Sequence, residues 1–238
     1  MEGKIGMSSP IYIQIHNKIK QEIEDNRWAV GDRIPSERDL ALQFGVSRMT
    51  LRQAIQTLVD EGILERQIGS GTFVARKKVQ EKMSGVTSFT ELTEAQGKTP
   101  SSKTVSYLVT SASISESEHL ALKAGEKVLR MERIRYADDV PICFEVATVP
   151  YELIKHYNRK QITSSLYRTL EEHGLKIGHA QQTVSSMLAS EKIAEYLELK
   201  RGAAILRLRQ ITRLGDGRPF EYVRTQYAGE RFEFYLEK

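Results

Sequence analysis

Residues 34–74 read IPSERDLALQFGVSRMTLRQAIQTLVDEGILERQIGSGTFV and punctuate themselves: serine opens and glycine closes two short amphipathic segments, and a glycine-turned hairpin follows at once. Ser36 is placed to cap a first helix with Asp39 at its third position, a capping-box spacing with Asp in place of the commoner Glu. That helix is expected to bury Leu40, Ala41 and Phe44 and to end at Gly45. Ser47 caps a second helix whose Leu51, Ala54, Ile55 and Leu58 form an apolar stripe at helical spacing, with Gly62 as its stop. The other side of that helix carries Arg48, Arg52 and Gln56, a row of long donor side chains one turn apart with no hydrophobe among them. Residues 63–67 and 72–75 read as two short strands around an Ile68-Gly69-Ser70-Gly71 turn, whose bare tip lets backbone amides approach phosphates or a narrow minor groove. Helix, tight turn, helix and ribbon in this order describe a winged helix-turn-helix, which lays its second helix along base edges in the major groove of duplex DNA.

The charge balance fits a protein aimed at one DNA site better than one that coats DNA. Residues 1–78 hold twelve Lys and Arg against ten Asp and Glu, while residues 48–78 hold six against three. The basic groups are placed rather than abundant, Arg66, Arg76, Lys77 and Lys78 flanking the hairpin. The single cysteine, Cys143, excludes an intrachain disulfide framework and a cysteine-rich zinc site, and fits a reducing cytosol. Between Ile142 and Phe144 it is expected at a half-buried strand position. No apolar run approaches the roughly 18 residues of a membrane span and no signal peptide is recognisable, so a cytoplasmic protein without a membrane partner is expected.

A chain of 238 residues with 40% hydrophobic content is long enough for two domains. The boundaries expected are 8–75 for the winged helix-turn-helix, 76–84 for a polar linker and 85–238 for a second domain. Residues 1–9 read as a frayed lead. Pro10 starts a further helix with Ile11, Ile15, Ile19 and Ile23 every fourth residue, and Trp28 is a packing residue behind it. The second domain contains a diverged repeat: Leu120-Ala121-Leu122-Lys123-Ala124-Gly125 resembles Leu197-Glu198-Leu199-Lys200-Arg201-Gly202, and Val128-Leu129-Arg130-Met131 is answered by Ile205-Leu206-Arg207-Leu208. Each copy runs helix, glycine turn, long strand, polar turn, second strand. A helix over 165–173 and a strand over 177–188 lie between the copies. The periods predict an antiparallel sheet with helices packed on it, an α+β domain with a crevice near its pseudo-twofold axis.

Along the strand 128–137, Met131, Arg133, Arg135 and Ala137 share one face, and in its partner Cys143, Glu145 and Ala147 share one. Two guanidinium groups beside one carboxylate can receive a divalent anion, with the carboxylate left to accept from hydroxyl or amine groups. Ser165, at the start of the intervening helix, adds a hydroxyl, and Glu221 and Tyr227 of the repeat's final strand are further candidates. Equally, Arg133, Arg135 and Glu145 can be cross-strand pairs on a solvent face. His16, His119, His156, His173 and His179 fall in no metal-ligand spacing, so no metal is expected. No phosphate-binding loop, dinucleotide fingerprint or nucleophile elbow is present, so neither a catalytic residue nor a cofactor is expected and the chain does not read as an enzyme.

With these residues in hand the sequence resembles the GntR superfamily of bacterial transcription regulators, in its HutC-like branch, over nearly the whole chain. The motif is Pro35-Ser36-Glu37-Arg38, then 44–54 (FGVSRMTLRQA), Gly62 and 69–74 (GSGTFV). The resemblance implies operator contacts from Ser36, Arg38, Ser47, Arg48, Thr50 and Arg52, with Gly69 at the minor groove. It further implies a homodimer on a short palindromic operator, usually a repressor released by a small metabolite. The second half resembles the associated UTRA effector domain, with the fold of chorismate lyase. There Thr87-Ser88-Phe89-Thr90 is similar to a pocket-loop motif of members that bind amino-sugar phosphates, including regulators of N-acetylglucosamine use. The resemblance thus implies a phosphate held by Ser88, Phe89 and Thr90 of that loop together with Arg133, Arg135 and Ser165, and the rest of the ligand facing Glu145, Tyr167, Glu221 and Tyr227. Similar frames recognise other sugars, phosphonate-related metabolites, amino-acid derivatives or fatty acids, and a second half serving only dimerisation is the alternative.

Overall fold

The computed structural model describes residues 9–67, 69–76 and 78–237. The expected frayed lead up to residue 8, Ile68 of the hairpin turn and Lys77 of the basic flank lie outside them. The chain divides into two compact units, residues 1–77 and 78–238.

The first unit holds α1 (Ile11–Glu24), α2 (Glu37–Phe44), α3 (Arg48–Asp60), β1 (Leu64–Gln67) and β2 (Gly71–Val74). Ile15 and Ile19 enter its core with Trp28, Leu40, Leu51 and Leu58, whereas Ile11, expected in the same stripe, is exposed at the first turn. Ser36 Oγ accepts from the Asp39 amide at 3.2 Å and donates to Asp39 Oδ2 at 2.6 Å. Gly45 ends α2 in the left-handed region at φ 65°, where a side chain would be strained. Ser47 Oγ accepts from the Thr50 amide at 3.1 Å, and each such cap is worth about 1 kcal/mol. The hairpin pairs β1 and β2 antiparallel, Leu64 opposite Val74 and Gln67 opposite Gly71. Residues 31–34 form an unforeseen third edge: the Ile34 amide bonds Thr72 O at 3.0 Å and the Val74 amide bonds Asp32 O at 2.9 Å.

The second unit runs β3 (Val79–Lys82), α4 (Phe89–Ala95), β4 (Pro100–Ser111), α5 (Ile114–Leu120), β5 (Lys127–Ala137), β6 (Val140–Pro150), α6 (Tyr151–Ile154), α7 (Arg159–Ser164), α8 (Leu166–Glu172), β7 (Ile177–Leu188), α9 (Glu191–Tyr196), β8 (Ala204–Leu214), β9 (Pro219–Ala228) and β10 (Phe232–Tyr235). Its large sheet has the order β4-β5-β6-β9-β8-β7, every neighbour antiparallel. The two repeat copies supply β5-β6 and β8-β9 and meet at the central β6–β9 pair, so the pseudo-twofold runs through the middle of the sheet as the repeat predicts.

Two expectations need correction, and one helix is added. Residues 79–82, read as linker, form β3, paired parallel with β10, Phe232 opposite Val79. Val79 and Glu81 point inward and Gln80 and Lys82 outward; the alternation is masked because one inward residue is charged and the partner strand lies at the far end of the chain. The helix expected over 165–173 forms as α8, with Ser165 and His173 at its ends, and the α7 directly before it was not foreseen. Cys143 is fully buried rather than half-buried, since β6 is a central strand covered on both faces.

Candidate functional sites

In the first unit α3 presents Arg48 and Arg52 to solvent, opposite the side that buries Leu51, Ala54, Ile55 and Leu58. Gln56, third in the row, is tethered through Nε2 to Asp60 Oδ1 at 2.7 Å. Ser36 and Arg38 are exposed at the start of α2, Ser47 is exposed at the start of α3, and Thr50 is half-buried with its hydroxyl 2.9 Å from that of Ser47. Arg66 of the hairpin pairs with Glu37 of α2 at 2.9 Å, so this basic group braces the hairpin. Met49, unnoticed in the sequence, is 75% exposed beside the two arginines. At the hairpin tip Gly69 takes φ +77° with open space around it. Gly71 takes φ +121°, which strains any side chain, and a Cβ there would also push aside the Arg33 guanidinium, whose Nε would lie 2.7 Å away.

In the second unit cross-strand pairing builds the site row by row. Thr104, Arg133, Glu145, Thr225 and Leu208 stand opposite one another across β4-β5-β6-β9-β8, and Ser102, Arg135, Cys143, Tyr227 and Leu206 form a second row. Directly opposed residues share a face, so both arginines look onto the same side of the sheet. They are no solvent-face pair: Arg133 is 4% and Arg135 3% exposed.

Arg133 is fully engaged. Its Nε and Nη2 both donate to Glu145 Oε1, the former at 3.0 Å, and Nη1 donates to Thr163 O at 2.9 Å. Burial acts to raise the Glu145 carboxyl, but the Arg133 and Arg135 charges overcome it and leave it below the usual range. Arg135 is different. Nη2 donates to Thr90 Oγ1 at 2.9 Å, the guanidinium carbon lies 4.9 Å from the Phe89 ring centroid, and Nε and Nη1 are buried without a partner. Burial first, then repulsion from Arg133, pulls this guanidinium down to about 10. A buried cation with two unspent donors costs free energy that a dianion would recover.

Beside the arginines, Tyr167 donates to Glu221 Oε2 at 2.7 Å, Thr212 donates to the same oxygen at 3.2 Å, and Gln210 Nε2 donates to the Tyr167 oxygen at 3.1 Å. Burial first pushes the Glu221 carboxyl up to about 7, opposed by the Tyr167 bond. Tyr227 stacks on Phe232, ring centroids 3.8 Å apart. Ser88 caps α4, its hydroxyl accepting from the Glu91 amide and donating to Glu91 Oε2 at 2.8 Å. Ser165 precedes α8 in an extended conformation and its hydroxyl caps nothing.

Ser88, Phe89, Arg133, Arg135, Glu145, Ser165, Tyr167, Glu221 and Tyr227 all border one cavity of about 50 Å³. Thr90 alone of the expected set stands behind it, holding Arg135 and facing a neighbouring cleft of about 350 Å³ lined by hydroxyls of β4 and α7. The smaller cavity has room for a few waters. Glu81, Gln210 and Thr225 also border it and escaped the sequence reading. The repeat held a signal for Gln210: if Met131 answers Leu208, then Arg133 and Arg135 answer Gln210 and Thr212. Among the described residues no cluster of His, Cys, Asp or Glu could hold a metal ion, and no helix is long and apolar enough to cross a membrane.

Residues 11–74 match the family described as bacterial regulatory proteins, gntR family, and residues 95–233 match the UTRA domain. The HTH-type transcriptional repressor NagR of Bacillus subtilis (strain 168) is 36% identical over 230 residues, 94% of this chain and 93% of the relative. A solved GntR-family transcriptional regulator from Enterococcus faecalis V583 is 62% identical with a TM-score of 0.55, over 58% of this chain and all of that one. PhnF from Mycobacterium smegmatis is 27% identical with a TM-score of 0.72, over 94% of this chain and 98% of that one.

Proposed function

Since the chain belongs to the gntR family of bacterial regulatory proteins and carries a UTRA domain, we propose that it is a transcriptional repressor released from its operator by a small anionic metabolite, a phosphorylated amino sugar foremost. Its family consists of DNA-binding regulators that respond to metabolites, not of catalysts. One observation carries the anionic ligand: the two unspent donors of buried Arg135 in a cavity shared with Arg133 and Ser165. A phosphate oxygen there meets charge-assisted donors that the ligand-free protein leaves idle. The amino-sugar end follows the pocket-loop resemblance at 87–90 and the acceptors Glu145 and Glu221.

On the DNA side Arg48 and Arg52 are assigned to base edges or phosphates of the major groove, Ser36, Arg38, Ser47 and Thr50 to the backbone, and Gly69 to the minor groove. Two copies joined through residues 78–238 place two such helices on a cytoplasmic palindromic operator about one turn apart. The ligand-bound arrangement fits the operator less well, and linkage makes the antagonism reciprocal. Isothermal calorimetry with glucosamine 6-phosphate tests the pocket. Arg133→Ala and Arg135→Ala are each expected to weaken binding at least about a hundredfold. Unchanged affinity in both variants sinks the anion reading.

A further inference from the structure

Glu81 is the charged residue of the cavity wall with no assigned role, and its position is peculiar. It points inward from β3, the four-residue strand that begins two residues after the end of the first unit. It is 8% exposed, and its supply of donors is thin: Gln182 Nε2 stands 3.5 Å away, at the outer limit of a hydrogen bond. A buried carboxyl so thinly supplied resists ionisation, and burial pushes it up to about 7.

Side-chain bonds lead from Glu81 along the cavity. Gln182 Nε2 also donates to Gln210 Oε1 at 2.7 Å, Gln210 Nε2 donates to the Tyr167 oxygen, and Tyr167 donates to Glu221. The backbone of β3 is gripped from both edges. β10 pairs with it on one side. On the other, Gln96 imitates a strand: the Gln80 amide donates to Gln96 Oε1 at 3.0 Å and Gln96 Nε2 donates to Gln80 O at 2.8 Å. Gln96 directly follows α4, whose first turn carries Phe89 and Thr90 against Arg135. Movement at the arginine end through α4, and hydrogen bonding at the acidic end through Glu81, therefore converge on one short strand.

We propose that Glu81 accepts a hydrogen bond from the donor-bearing end of the ligand, a hydroxyl or ammonium remote from its anion, and that β3 conveys this occupancy to the chain entering residues 1–77. The inference rests on the pocket reading above and adds a specificity residue and a route for the signal. A donor facing Glu81 draws the carboxyl into its charged form and shifts the strand that carries it. The anion at Arg135 does the same through Thr90, α4 and Gln96. Inorganic phosphate, which has no such distant end, fills the arginine site without engaging Glu81.

The test uses the full-length chain, calorimetry with glucosamine 6-phosphate and with inorganic phosphate, and operator release followed by anisotropy. Glu81→Gln is expected to lower the preference for glucosamine 6-phosphate over phosphate about tenfold. Gln96→Ala, outside the cavity, is expected to bind glucosamine 6-phosphate as the wild type does while needing several-fold more of it for release. Wild-type selectivity in Glu81→Gln together with wild-type release in Gln96→Ala overturns the inference while the pocket stands. A wild-type protein that binds neither probe fails at the pocket itself and takes this inference with it.

Discussion

Replacing Arg135 by Met separates a ligand-holding arginine from a structural one, because the two roles predict opposite changes in stability. The guanidinium is pulled from its ordinary 12.5 to about 10 by burial and by Arg133, a cost on the order of 3 kcal/mol in the folded chain. For a base with a lowered folded value that cost is fully present below about pH 10 and fades only as pH rises through it, so it applies throughout the neutral range. Against it stand the Thr90 hydrogen bond and the Phe89 ring, together worth about 2 kcal/mol. Met fills similar length without a polar atom. The balance favours the variant by about 1 kcal/mol, an increase of about 2–4 °C in the melting temperature of the 78–238 transition. The same change removes two charge-assisted donors, each worth about 1.5–3 kcal/mol to a phosphate, and so weakens phosphosugar binding about 10²- to 10⁴-fold. Scanning calorimetry of the ligand-free variant, repeated with glucosamine 6-phosphate, reads both effects. A melting temperature that falls by several degrees with the ligand-induced shift intact refutes the reasoning and makes Arg135 a packing residue.

Arg52→Ala should weaken operator binding by about 5- to 100-fold in gel shifts while leaving phosphosugar affinity unchanged, the loss expected of one major-groove contact. Gly71→Ala strains the hairpin corner by holding a side chain at φ +121°; operator affinity should drop several-fold while the 78–238 transition stays at its wild-type temperature. Glu221, raised to about 7 by burial, is protonated in the folded chain where the unfolded chain has already ionised. Its contribution to stability is therefore complete below about pH 4.5 and lost as pH rises through about 7, on the order of 3 kcal/mol. Denaturation of Glu221→Gln from pH 5 to 8 should show a correspondingly shallower decline than wild type, and parallel profiles would contradict it.

What the sequence disclosed follows from how local each signal is. Ser36, Gly45 and Ser47 each act within one turn of chain, so α2 and α3 were readable from spacing alone. The repeat put a pseudo-twofold axis in the sheet but did not say which strands meet on it; the structure places the β6–β9 pair there. Strand alternation put Arg133 and Arg135 on one face but could not say whether that face was wet, since burial depends on the helices covering it. β3 was invisible for another reason: its partner Phe232 lies at the opposite end of the chain, pairs parallel, and leaves no turn between them. Glu81 fell with it, a charged residue in a charged stretch that reads as solvent-facing until its neighbours are known. That Arg133 is satisfied and Arg135 is not exists only in three dimensions.

Pocket and operator oppose each other if the protein is a ligand-released repressor. A labelled duplex selected by the full-length protein from a randomised pool, followed by anisotropy while glucosamine 6-phosphate is added, measures this opposition directly. Release to the free-duplex value is predicted, with a midpoint that tracks the calorimetric Kd and disappears in Arg135→Met. Duplex still bound at concentrations where calorimetry shows the pocket filled would contradict it.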